Sequence, residues 1–192
     1  MHRCSLSSTI YIILSFMKCI DLKPDNIGYS SDGTLKLMDF GLSTCVRARI
    51  NVFETYAMTG FTGSLRYMAP EVVRSEAYTE KVDMYGFGLL LYQLITNKLP
   101  YNGMNKATLI EQVINNNQRP KIRQYIPSPF YNLLTLCWHR DPNVRPSFEV
   151  IMTELVLLSS QMGAHDNVTI DHAGGGAHSR WSIFTFRRKR NL

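Results

Sequence analysis

No segment of the 192 residues repeats at a fixed period, which excludes solenoids and propellers. No apolar run reaches the roughly 20 residues needed to span a bilayer; the strongest is Ile10-Tyr-Ile-Ile-Leu-Ser-Phe-Met17. Following Met1-His-Arg3, that run imitates a weak secretory signal, but no small-residue cleavage site is clear near Cys19. The four cysteines, Cys4, Cys19, Cys45 and Cys137, lack the paired spacings of zinc sites or thiol redox motifs. They read as idle thiols of a reducing, cytoplasmic compartment. The five histidines show no metal-ligand spacing either. Charged residues are only 19% of the chain against 45% hydrophobic, which excludes compositional disorder and leaves material for the core of one domain.

The formal charge of +6 is unevenly placed. Residues 1–171 carry 16 Lys+Arg against 15 Asp+Glu, whereas residues 172–192 carry five basic residues and no acid. The body is therefore nearly neutral. Residues 161–192, with Gly174-Gly-Gly176 and Arg187-Arg-Lys-Arg190, read as a flexible basic tail. The tail could make weak contact with an anionic surface, and no specific nucleic-acid partner is expected.

What is present reads as mainly helical with one small hairpin. Apolar and polar residues alternate through Thr34-Leu-Lys-Leu-Met38, and Asp32-Gly33 stands mid-way between Ile27 and Asp39, predicting a β-hairpin. Residues 40–78 hold no sustained period and read as a long, functional loop. Val82 to Ile95 is apolar on nearly every face, the pattern of a helix surrounded by the domain. Helices are predicted over about 106–116 with Asn105 as cap, 129–138, and 147–159 with Ser147 as cap.

The chemistry-bearing residues begin at Asp21-Leu-Lys-Pro-Asp-Asn26, followed past the hairpin by Asp39-Phe-Gly41. A proton acceptor, a cation, an amide oxygen and a second carboxylate are the groups that phosphoryl transfer between oxygens requires. Positioning the nucleophile and neutralising phosphate charge do most of that work. Asp25 and Asp32 read as turn residues.

Together, in this order and around a hairpin, these motifs resemble the C-terminal lobe of a eukaryotic protein kinase of the serine/threonine type. Gly63-Ser-Leu-Arg-Tyr-Met-Ala-Pro-Glu71 is similar to the family's substrate-facing segment, and Asp83-Met-Tyr-Gly-Phe-Gly88 to the start of its buried central helix. Cys137-Trp-His-Arg-Asp-Pro-Asn-Val-Arg-Pro146 is similar to its late motif, in the form used by the tyrosine-kinase-like branch.

The resemblance implies roles. Asp21 would accept the substrate hydroxyl proton, and Lys23 would approach the transferred phosphate. Asn26 and Asp39 would hold magnesium against ATP. Glu71 would pair with Arg145, and Asp83 would brace the catalytic loop. Thr59, Thr62 and Ser64 would lie in the activation segment, where a phosphate adds roughly −1.5 to −2 charge; Thr59 or Thr62 is the expected regulatory site. The implied partners are ATP, Mg2+ and a protein substrate.

Two departures stand against the family pattern. No glycine-rich loop, strand lysine or partner glutamate for the phosphates occurs, so the N-terminal lobe is read as absent and the chain as inactive alone. A non-catalytic, kinase-like binding module is the alternative. The other departure is that Ile20 precedes Asp21 where the family has His-Arg, while His2-Arg3 stands upstream; removing Cys4–Ile20 would restore the motif. Residues 1–20 are thus read as an insert or non-native segment, from a retained intron or a truncated gene model. The kinase-like lobe is assigned to 21–160 and the tail to 161–192.

Overall fold

The computed structural model describes residues 17–18, 21–31, 35–41, 44–45, 65–124 and 126–163. Among them the chain is mostly helical, with two small antiparallel ladders. Strand β1 (Met17–Lys18) pairs with β4 (Thr44–Cys45), and β2 (Ile27–Tyr29) pairs with β3 (Leu35–Leu37) in the register Ile27 to Leu37. The second ladder is the predicted hairpin; its Asp32-Gly33 turn lies outside the described residues. The first ladder uses two residues, Met17 and Lys18, from the stretch read as an insert.

The helices are α1 (Pro70–Val73), α2 (Lys81–Thr96), α3 (Lys106–Leu109), α4 (Ser128–Cys137) and α5 (Phe148–Gly163). Helix α2 is the axis of the fold, since twelve of its sixteen residues are buried. Its start is assisted by Thr79, whose Oγ1 accepts from the Lys81 N–H at 3.4 Å. It stops at Asn97, a residue type that tolerates the left-handed φ of 51° found there.

Gly88 of α2 faces α4 at close range: a Cβ on it would lie 2.7 Å from Cys137 Cβ, so only glycine permits this approach. Tyr85, Leu89, Leu134, Cys137 and Ile151 are the fully enclosed side chains where α2, α4 and α5 meet. Burial of this depth contributes about 1.5–3 kcal/mol for each large apolar side chain. Burial also pushes the Cys137 thiol up to about 12, so it stays protonated and inert. Helix α5 adds the stripe Phe148, Ile151, Leu155 and Leu158, spaced three and four apart, with Phe148 edge-on to Phe87 at 5.6 Å.

Three local features differ from the sequence expectation. The stretch read as a loop over 40–78 contains β4 and α1; α1 is only four residues long and carries no period, although Pro70 sits at its first turn, a position proline favours. The predicted helix over 106–116 begins as expected, with Asn105 Oδ1 accepting from the Thr108 N–H at 2.9 Å. After Leu109 it widens into a π-helix over Ile110–Asn115. Tyr101 and Asn117, neither of them glycine, adopt left-handed backbone with φ of 53° and 56°, which hydropathy patterns do not signal.

Candidate functional site

The 21–26 loop is fixed by its own side chains. Pro24 opens a single 3₁₀ turn, and the Asn26 N–H donates back to the Lys23 carbonyl at 3.1 Å. Asn26 is buried, and its Nδ2 donates both to the Asp21 carbonyl at 2.8 Å and to Asp21 Oδ2 at 3.1 Å. Lys23 Nζ donates to the same Asp21 oxygen. The buried Asp21 carboxylate is therefore oriented by an amide and an ammonium at once.

That hydrogen bond to Asp21 is the main cause holding the Lys23 ammonium above the ordinary lysine range. Partial burial acts against it, and the charges of Asp21, Asp25 and Asp39 add to it. Lys23 consequently stays charged across the neutral range, and Asp39 lies near enough to act on it.

The link between the loop and Asp39 runs through the hairpin. The Met38 N–H donates to the Asn26 carbonyl at 2.7 Å, which places the next residue, Asp39, beside the loop. Asp39 has φ of 58°, a conformation that aspartate tolerates better than most residues. Its Oδ1 accepts from the Gly41 N–H at 3.2 Å, an Asx-type turn that orients the carboxylate. Unlike Asp21, Asp39 is exposed, as is Phe40 beside it.

Behind this loop stands α2. A Cβ on Gly86 would meet the carbonyl oxygens of Leu22 and Tyr67 at 3.4 Å each, so the helix backs directly onto both the 21–26 loop and the 65–69 segment. Asp83, three residues earlier, is 2% exposed.

Glu71 and Arg145 form a buried, two-pronged ion pair, with Nη1 to Oε1 at 2.5 Å and Nη2 to Oε2 at 3.0 Å. Arg145, at 1% exposure, also donates to the carbonyls of His139 and Lys81, both at 3.0 Å. Seventy-four residues apart in sequence, Glu71 and Arg145 tie α1 to the turn ahead of α5.

The structure thus brings Asp21, Lys23, Asn26 and Asp39 to one edge, and places Glu71, Asp83 and Arg145 in the interior. Thr59, Thr62 and Ser64 lie outside the described residues. Sequence reasoning passed over Arg66 and Tyr67, which anchor the 65–69 segment to α2 and the turn after it. Arg66 Nη1 donates to the Pro100 carbonyl and, at 2.9 Å, to the Tyr101 carbonyl; the Tyr67 hydroxyl donates to Gln93 Oε1. Their only sequence signal was position, two polar tips in an otherwise apolar Leu-Arg-Tyr-Met stretch. Tyr85 was equally silent, although guanidinium groups of Arg119 and Arg145 each lie 5.1 Å from its ring centre.

The donor set suits a hard cation carrying phosphate. Asn26 spends its amide nitrogen on Asp21, which leaves its oxygen as the end available to a cation, and Asp39 adds a carboxylate. Among the described residues no group of three His, Cys, Asp or Glu gathers to hold a metal. Two protein oxygens with the remainder left to phosphate and water is the arrangement magnesium accepts.

Comparison with known proteins agrees with this geometry. A family model described as "Protein kinase domain" matches residues 10–157. The chain is 36% identical over 140 residues to the dual specificity protein kinase shkB of Dictyostelium discoideum, covering 72% of this chain and 21% of that protein. It is 34% identical over 142 residues to mitogen-activated protein kinase kinase kinase 12 of Rattus norvegicus, covering 74% and 15%. Against mitogen-activated protein kinase kinase kinase 7 of Bos taurus the identity is 36% over 134 residues, covering 69% and 22%. The chain spans about a fifth or less of the length of these relatives.

Proposed function

The chain belongs to the protein kinase domain family, and from that premise we propose that it supplies the proton-accepting and metal-holding side of a site that moves the γ-phosphoryl group of ATP to a protein serine or threonine hydroxyl. The observation that carries this reading is the Asp21 carboxylate held by Lys23 and Asn26, with Asp39 delivered beside them by the Met38–Asn26 hydrogen bond.

In this reading Asp21 accepts the hydroxyl proton as the new O–P bond forms, and its two side-chain donors keep it aimed at the incoming oxygen. Lys23 spends one of its three donors on Asp21 and has two left for the oxygens of the transferred group. Its raised proton affinity keeps that charge in place. Asn26 and Asp39 would hold Mg2+, which when bound neutralises charge on the nucleotide phosphates. Glu71, Arg145 and Asp83 act at a distance, keeping the 65–71 segment and the 21–26 loop seated on α2. Phosphorylation of Thr59 or Thr62, next to Ser64, would regulate that segment.

The lobe would comprise residues 21–160, with 1–20 an insert and 161–192 a basic tail. Among the described residues no helix is long and apolar enough to cross a membrane, and a cytoplasmic site of action fits the cysteine usage. One relative's name carries dual specificity, so restriction to serine and threonine rests on Lys23 and the late motif alone.

No glycine-rich loop stands in this sequence to cover the phosphates, and the 192-residue chain by itself is proposed to transfer little phosphate. The test is therefore made on the product of the longest native transcript that encodes this segment. It phosphorylates a generic basic protein, and Asp21→Asn lowers kcat by about 10²–10⁴, the usual contribution of a positioned general base. Transfer unchanged by Asp21→Asn would remove Asp21 from the role. Absence of any transfer by the native product would favour the alternative of a non-catalytic docking module, to which the exposed Tyr29, Met38 and Phe40 lend apolar surface.

A further inference from the structure

Between the C-terminal end of α2, the turn that follows it and residues 118–121 lies a cleft of about 500 Å³. That size falls within the range of sites that take a small ligand or a bulky side chain. Tyr92 and Tyr101, both buried, line its base, and Leu99, Met104 and Pro120 add apolar wall. Three further lining residues are cationic, Lys98, Arg119 and Lys121, and none is acidic.

The positive charge here is not neutralised locally. Among the described residues no carboxylate lies within ion-pair distance of Lys98 or Lys121, and both side chains are exposed. Arg119 is spent on neutral acceptors: Nε on the Trp138 carbonyl at 2.9 Å, Nη1 on the carbonyls of Val113 at 3.3 Å and Gln118 at 2.9 Å, and Nη2 on Asn117 Oδ1 at 2.7 Å. Its guanidinium is thereby pinned in the wall with its charge uncompensated, and it holds the 117–119 backbone against α4. The base is pinned as well. Tyr101 has φ of 53°, a costly backbone for a bulky residue, kept by the Tyr101–Tyr85 hydroxyl contact at 3.3 Å and by Arg66 on its carbonyl. A preformed apolar floor inside an unneutralised cationic rim selects for a ligand with the converse pattern.

We propose that this cleft docks an acidic peptide segment of a partner protein, with one bulky apolar side chain seated over Tyr92 and Tyr101 and flanking carboxylates facing Lys98 and Lys121. Two free ammonium groups around a concave apolar floor fit a side-chain anchor better than a continuous phosphate backbone, which needs a longer basic track. The site is separate from the Asp21–Asp39 edge, and its test requires no catalytic turnover, so its failure leaves the proposed function untouched.

The test is fluorescence anisotropy with the full 192-residue chain and a labelled twelve-residue peptide of glutamates flanking a central Leu-Trp pair. Lys98→Glu combined with Lys121→Glu weakens binding at least tenfold, as does replacing the peptide's glutamates by glutamine. Leu99→Asp, also at an exposed position, weakens it independently. Neutralising Arg187–Arg190 to glutamine changes affinity less than twofold. Binding untouched by the lysine reversals, or lost with the tail charges instead, overturns the proposal. Displacement of the peptide by an equimolar twelve-nucleotide single-stranded RNA overturns it too, since the cleft would then be reading polyanions in general.

Discussion

The helical body of residues 65–160 and the loop-and-hairpin edge of residues 21–41 are built on opposite terms. In the body, side chains enclose one another around α2, and even its charges are internal: Arg145 and Glu71 are 1% and 4% exposed. At the edge the polar groups are tightly interlinked, and although Leu22 is buried and Ile27 and Leu37 are half-buried against the core, Tyr29 and Phe40 stand outside, 68% and 39% exposed. The body is held chiefly by apolar packing around α2. The edge keeps its chemical residues in position through hydrogen bonds among Asp21, Lys23, Asn26, Met38, Asp39 and Gly41 and through its contact with Gly86.

The contrast predicts where substitutions will hurt. Arg145→Ala has the largest expected effect: it strands Glu71 as an uncompensated buried charge and costs about 3–5 kcal/mol, measurable as a fall in the urea midpoint. Gly88→Ala comes next, because its new Cβ would collide with Cys137 Cβ at 2.7 Å; overpacking of that kind costs about 1–3 kcal/mol. At the edge, Phe40→Ser should stay within about 0.5 kcal/mol of the parent, as exposed positions do. A loss as large as that of Gly88→Ala would erase the distinction between the two regions.

The body has a pH signature of its own, set by burial. Burial raises the phenols of Tyr85 and Tyr101 well above their ordinary range, so the folded chain holds those protons where the unfolded chain releases them. Their contribution is fully present below about pH 10, the unfolded value, and is lost as pH rises beyond it. Denaturant titrations at pH 8 and pH 11 should show the fall, and Tyr101→Phe should shrink it.

How much of this was legible in the sequence follows the same division. The axis helix announced itself by apolar residues on every face, the hairpin by alternation around Asp-Gly, and the helix at 106 by an asparagine cap; these are local signals with local causes. The four chemical residues of the edge were readable because their spacing survives in one short stretch. Glu71 with Arg145 was readable only through the family pattern, since no local rule joins residues 74 positions apart. Arg66, Tyr85, Tyr101 and Arg119 were not readable at all. Their roles are set by which carbonyl or ring comes to lie opposite them, a property of the packed chain. The π-helical turn after Leu109 is of that kind as well, because Ile110–Asn115 carries an ordinary helical pattern.

The central claim is the proposed one, that the Asp21–Asp39 edge would supply the acceptor and metal-holding groups of a transfer site while no glycine-rich loop in this sequence covers the phosphates. The most direct measurement is transfer of labelled γ-phosphate from Mg-ATP to a generic basic protein by the purified 192-residue chain, run beside Asp39→Ala. The account predicts transfer by the parent no greater than by the variant. Sustained transfer by the parent that Asp39→Ala abolishes would contradict it.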